Sequence, residues 1–292
     1  MKRVLCLLLT VVLCLLSCSC VAKIKTPTVA ATTLPVYEFT KILCEGTDVT
    51  VTQLITENVS CLHDYTLQIH QMRAIENASL VVISGVGYED FLTDVIKNGT
   101  ELLDSSKGVA LISGCDDDHD HEHGHNHEYD PHIWLSPANA KIMAENIAAG
   151  LIASYPQHSN IITGNLSVLL NDLDALSSYA QSQLKDTSCK DIITFHDGFS
   201  YMAEAFGLNI LYAIEEESGS EASAAELIQI ANTVRKHRLT AIFTEFNGSK
   251  SAAEIISRET GVKIFALDMA VSGNSYFEAM YHNIDTLKEA LE

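Results

Sequence analysis

NLSVLLNDLDALSSYAQSQL, residues 165–184, decides how the rest of the chain is arranged. Leu166, Leu169, Leu170, Leu173 and Leu176 recur three or four positions apart, which lays one apolar stripe along a helix. The spacing predicts a single long helix over 158–185. On either side the pattern switches to strand–helix alternation. Before it come strands at TVAATTL (28–34), DVTVTQLI (48–55), SLVVIS (79–84) and KGVALIS (107–113). Helices over 35–46, 66–78 and 87–99 separate them, and a further helix begins at Ser136 and Pro137, as N-cap and first helical position. After it, DIITF, NILYAI, TAIFTEF and VKIFAL alternate with helical stretches up to Leu291. Such alternation implies parallel sheets covered by helices. The expected fold is α/β. An N-terminal lobe (28–157) and a C-terminal lobe (186–292) are joined by one rigid helix (158–185), with a cleft between the lobes.

Bulk properties narrow the function. An apolar fraction of 47% in 292 residues is enough for a substantial core. The formal charge of −20 argues against nucleic acid or anionic lipid as partner and is compatible with attracting cations. At the start, Lys2 and Arg3 precede an apolar run from Val4 to Leu16, too short for a membrane span and suited to a secretory signal. Leu15-Leu16-Ser17-Cys18 resembles a bacterial lipobox, so residues 1–17 read as a signal peptide and 18–27 as a leader. Cys18, with Cys20 as its rival, is the expected lipidated residue that holds the chain on a membrane. Loss of Lys2 and Arg3 with the signal brings the charge to −22. Cys44, Cys61, Cys115 and Cys189 remain in the body without any CxxC pair, and their pairing is not legible.

In parallel α/β folds ligands sit beyond the carboxyl ends of strands. Polar residues in such loops are His63 in SCLHDY, His132 in DPHIWLSP, His196 in ITFHDGF, Glu245 in FTEFNG and Asp268 in FALDMA. Three imidazoles and a carboxylate would fill a tetrahedral zinc shell with no thiol. The wide spacing alone is a weak motif. Between them lies DDDHDHEHGHNHE (116–128), with His119, His121, His123, His125 and His127 on alternate positions among acids. A stretch with no apolar residue cannot bury a face, so this reads as an accessory metal-binding loop rather than a rigid site.

Taken together, TTLPVYEFTKIL, LHDYTLQIHQMRAIENASLVVISG, DPHIWLSP, TFHDGFSYMAEAFGL and the LD of IFALDMAVSG resemble the metal-binding proteins of zinc and manganese ABC uptake transporters (cluster A-I). The resemblance runs from about residue 28 to the C-terminus. It implies a monomeric receptor that takes metal outside the membrane to an ABC-type permease, without catalysis. By position, His63, His132, His196 and Asp268 would be the ligands. Manganese members tend to carry Glu at the position of His196, so Zn2+ is the expected cargo and Mn2+ the alternative. Asp64, Asp197 and Glu245 are candidates to hydrogen-bond the ligating imidazoles from behind. Met269 departs from the pattern, which commonly has Pro there. Other readings are a zinc-storage or adhesin-type surface protein, or a zinc hydrolase with Glu245 or Glu215 as base, though neither HExxH nor GxSxG occurs.

Overall fold

The computed structural model of the chain describes residues 27–59, 62, 65–92, 95–96, 100–114, 128–214 and 222–292. Two four-stranded, all-parallel sheets carry the fold. The first contains β1 (Thr28–Ala31), β2 (Thr50–Gln53), β3 (Leu80–Ile83) and β4 (Glu101–Asp104) in the order β2-β1-β3-β4. The second contains β5 (Asp191–Thr194), β6 (Asn209–Ala213), β7 (Ala241–Glu245) and β8 (Lys263–Leu267) in the order β6-β5-β7-β8. Central strands such as β1 and β7 are buried on both faces, as parallel strands between helices must be, whereas the edge strand β2 alternates exposed and half-buried residues. In both sheets the order in which strands are added reverses in the middle, between β1 and β3 and between β5 and β7. Each lobe therefore has a crevice at the carboxyl ends of its two central strands.

The helices are α1 (Leu34–Leu43), α2 (Ile69–Asn77), α3 (Pro137–Ser154), α4 (Ser159–Leu184), α5 (Ser200–Phe206), α6 (Ala224–His237), α7 (Ser251–Thr260) and α8 (Tyr276–Leu291). The long helix expected from the leucine spacing is α4, whose 26 residues span ~39 Å. Its buried stripe, Ile162, Leu169, Leu173, Leu176, Ala180 and Leu184, packs on α1 and α3 of the first lobe and α8 of the second. Among the described residues, no helix is long and apolar enough to cross a membrane.

Two expectations change. The fourth strand of the first sheet is ELLD (101–104), not KGVALIS (107–113). The latter leaves the sheet and runs toward the second lobe, where the Ile112 N–H donates to the Tyr201 hydroxyl of α5 at 3.0 Å. Its end then pairs with the chain returning at 128–130, through a Ser113–Tyr129 antiparallel bridge and two backbone hydrogen bonds, Gly114 N to Glu128 O and Asp130 N to Ile112 O. The helix expected over 87–99 begins instead as a turn at 86–89 followed by a short 3-10 turn at Asp90–Leu92. A run of left-handed residues, Gly85 (φ 96°), Val86 (φ 56°) and Gly87 (φ 78°), wraps the backbone around Glu89. The Glu89 carboxylate accepts from Ser84 N (2.7 Å), Gly85 N (3.0 Å) and the Thr32 hydroxyl (2.7 Å) at the crevice of the first sheet.

The lobes share one apolar core. A continuous cluster runs from β1 through α1 and α4 to Tyr276, Met280, Ile284 and Leu287 of α8, and a smaller one lies only in the second lobe. Phe39 of α1 meets Tyr276 edge-on at 5.0 Å. Leu34 N donates to Val271 O across the lobes at 2.9 Å. Glu38 of α1 accepts from the Ser275 hydroxyl (2.9 Å) and from Tyr276 N (2.5 Å), so a carboxylate of one lobe caps the first turn of a helix in the other.

Two stability outcomes follow from these contacts. Glu38→Ala removes the carboxylate that accepts from Tyr276 N and the Ser275 hydroxyl, leaving α8 with its Ser275 cap alone, and should lower the unfolding free energy by about 1–3 kcal/mol, read from urea melts. Burial pushes the Glu89 carboxyl up to about 7 from its ordinary 4.5, against the pull of its hydrogen bonds. The fold thus favours the neutral form. This group's contribution to stability is full below 4.5, falls as pH rises to 7, and is then up to roughly 3 kcal/mol lower. Urea midpoints at about pH 5 and about pH 8 should differ less in Glu89→Gln than in the parent chain.

Candidate metal centre

The second-lobe half of the site is set by strand order. β5 and β7 lie side by side, so His196, two residues beyond the end of β5, meets Glu245 at the end of β7. His196 Nδ1 lies 2.9 Å from Glu245 Oε1, and the carboxylate is only 6% exposed. Burial pulls the His196 pKa down, but the hydrogen bond and charge of Glu245, with the charges of Asp197 and Asp130, outweigh it and leave it raised.

The first-lobe half comes from the segment that returns from 128. His132 begins a short 3-10 turn, Ile133–Leu135, and is 3% exposed. Asp130, two residues earlier, binds it twice through one oxygen: Oδ1 accepts from His132 N at 2.9 Å and sits 2.9 Å from His132 Nδ1. The ring is packed edge-on against Tyr88 and Trp134, each 5.4 Å away between centroids. Tyr88 is carried there by the Glu89 turn.

The two imidazoles face one another across the lobes at 5.3 Å between centroids and 83° between planes. With a carboxylate behind each Nδ1, the proton belongs on Nδ1 and the lone pair on Nε2. Both Nε2 atoms are buried and, among the described residues, have no hydrogen-bond partner, and neither has Asp130 Oδ2. Buried polar atoms without partners are costly, and an imidazole lone pair backed by a carboxylate is the donor a zinc-type cation takes. Gly198 lies against the pair: a Cβ there would come 2.5 Å from Met269 Cε, 2.7 Å from His196 Cδ2 and 2.9 Å from His132 Cε1.

Asp268 follows β8, the strand beside β7, and is half-buried. Asn283 of α8 clamps its backbone, accepting from Asp268 N and donating to Asp268 O, both at 2.7 Å. Its Oδ1 accepts from Ala270 N at 2.8 Å, where the chain turns through a left-handed residue (φ 54°). Burial raises its carboxyl pKa, against the hydrogen bond from Ala270 N. Asp268, Glu245, Val59 and Met269 line a small opening.

The expected ligands therefore have different standings. His132 and His196 are brought together, with Glu245 behind one ring. Asp268 lies near Glu245 but does not join the histidines: among the described residues no three His, Cys, Asp or Glu side chains converge as a metal-holding group. Asp197 acts on His196 through its charge. His63 and Asp64 lie outside the described residues, as do His119, His121, His123, His125, His127, Cys18, Cys20, Cys61, Cys115 and Glu215. Cys44 and Cys189 are free thiols. The sequence reading missed Asp130, although its signal, an acid two residues before His132 in DPH, was present.

Comparison with known proteins places the fold and the family of the chain. The chain is 29% identical over 285 residues to the zinc-binding protein AdcA of Streptococcus pyogenes, aligning 89% of its own length with 55% of that protein. It thus spans about half the length of the curated relatives it matches. Among solved structures, it superposes on ZnuA with a TM-score of 0.79 at 25% identity, covering 91% of this chain and all of that one. With the Zn(II)-bound ZnuA-like domain of Streptococcus pneumoniae AdcA the TM-score is 0.76 at 26% identity, covering 91% and 99%. The family model for the periplasmic zinc-uptake complex component A, ZnuA, matches residues 29–290, and the chain belongs to that family.

Proposed function

We propose that the chain is the lipid-anchored, extracytoplasmic receptor of a zinc uptake system, which captures Zn2+ in the cleft between its lobes and passes it to an ABC-type permease. The observation that carries the reading is the pair of buried Nε2 atoms, on His132 and His196, that have no partner among the described residues and belong to rings each backed at Nδ1 by a carboxylate. Family membership supports zinc as cargo. His63, His132, His196 and Asp268 are the proposed ligands, three nitrogens and one oxygen, a set that favours zinc over manganese. Completing the set calls for His63 and for a modest turn of Asp268 away from Ala270 N. Asp130 and Glu245 hold the two described imidazoles in the tautomer that ligates. The His run is an accessory that gathers zinc near the cleft, and Cys18 anchors the chain. No reaction is required of any residue. Release to the permease follows from changing the ligands' geometry on docking.

The direct test is a competitive titration of zinc and manganese into metal-stripped protein, with and without residues 116–128. One tight zinc site should survive the deletion, with manganese much weaker. Loss of tight binding on deletion would make the run itself the site and the protein a store. His196→Ala should abolish the tight site while binding to the run persists. Asp130→Asn and Glu245→Gln, which keep shape but lose the acceptor charge, should each weaken zinc by ~10–100-fold in the same titration.

A further inference from the structure

The loop after β8 delivers two adjacent side chains of opposite chemistry. Asp268 offers a hard oxygen, and Met269, 4% exposed, offers a soft thioether. Its place is fixed from behind, since the Trp134 indole N–H donates to the Met269 carbonyl at 2.8 Å. Its methyl and the two imidazoles converge on Gly198. Met269 Cε, His196 Cδ2 and His132 Cε1 all fall within 2.9 Å of the single point that a Cβ on Gly198 would occupy. Each of those ring carbons is bonded to its ring's Nε2, the unpartnered donor. The sulfur is one bond from that methyl, and the unbranched side chain turns it with little strain. Gly198 supplies the space: no other residue type allows the three groups this close.

Two imidazoles, one of them packed edge-on against Trp134 and Tyr88, and a thioether make up a low-coordinate, soft donor set. Such a set suits Cu(I), whereas zinc draws on nitrogen, carboxylate and thiolate. We infer that the cleft holds a second, copper-selective mode: His132, His196 and the Met269 sulfur bind Cu(I), with Met269 taking the place that Asp268 takes for zinc. The location of this mode rests on the zinc-site reading above, while its donor set does not.

The test is the substitution Met269→Leu, which keeps the apolar bulk and removes the sulfur. The parent for comparison is the full chain with every cysteine except buried Cys44 replaced by serine. The His run is unchanged between the two proteins, so differences report on the cleft. Anaerobic Cu(I) titration against a chromogenic chelator should show Cu(I) affinity falling by ~10-fold or more in Met269→Leu, the scale on which metal-shell substitutions act. Zinc affinity should stay within about threefold, and a sulfur scatterer seen by copper absorption spectroscopy in the parent should vanish in the variant. Equal Cu(I) affinity in the two proteins overturns the inference. So does a parallel loss of zinc and copper, which would make Met269 a packing residue only. Failure of the zinc reading shows separately, as absence of a tight zinc site in the parent.

Discussion

The structure hangs on Trp134, the chain's only tryptophan. It is wholly buried, donates its indole N–H to the carbonyl of Met269, and accepts from the Tyr276 hydroxyl at its own carbonyl, 2.8 Å in each case. Both partners belong to the second lobe and Trp134 to the first. The same ring supports His132 edge-on. One side chain thus fixes the distance between the lobes and the orientation of a proposed ligand. Because Tyr276 is also the first residue of α8 and packs on Phe39, the register of that helix, the cross-lobe core and the placement of the cleft are set together. A site built from two lobes needs this kind of fixed spacing, since an imidazole displaced by an ångström no longer shares a cation with its neighbour.

Charge gives the cleft its second character. Asp130 and Glu245 stand behind the two imidazoles, Asp197 acts on His196 through its charge and Asp268 lies near Glu245, in a chain that already carries −20. Burial, with the neighbouring charge of Glu245, makes the Asp268 carboxylate expensive and raises its pKa. A divalent cation offsets that cost, so the stability of the cleft and its appetite for metal are two sides of one arrangement.

What the sequence made legible, and what it did not, follows from the range of the interactions. The α4 stripe is local, three and four residues apart, and could be read directly. So could the residues after strands, because parallel α/β folds put their loops on one side. The pairing of His196 with Glu245 depends on β7 lying beside β5, a matter of crossover direction that no local pattern records. ELLD escaped notice because a four-residue edge strand with exposed Glu101, Leu102 and Asp104 has no inward-facing pattern. KGVALIS misled because it runs outside the sheet, with Leu111 exposed and the Ile112 backbone N–H given to the Tyr201 hydroxyl of α5. Asp130 has no counterpart at His63 or His196, which are followed by the adjacent acids Asp64 and Asp197. An aspartate two residues earlier reaches both the backbone N–H and the ring by a side-chain turn, a geometry set by the chain's reversal at 130–132.

The pairing of 112–114 with 128–130 has a practical consequence. Gly114 and Glu128 occupy neighbouring hydrogen-bonded positions. Anything placed between them begins and ends at one spot, and closing a loop twice as long costs only about 0.6 kcal/mol more. That makes this stem a natural graft point. A fluorescent domain spliced in there would report on the cleft from the rim of the metal centre, two residues from Asp130, while the scaffold beneath keeps its own register.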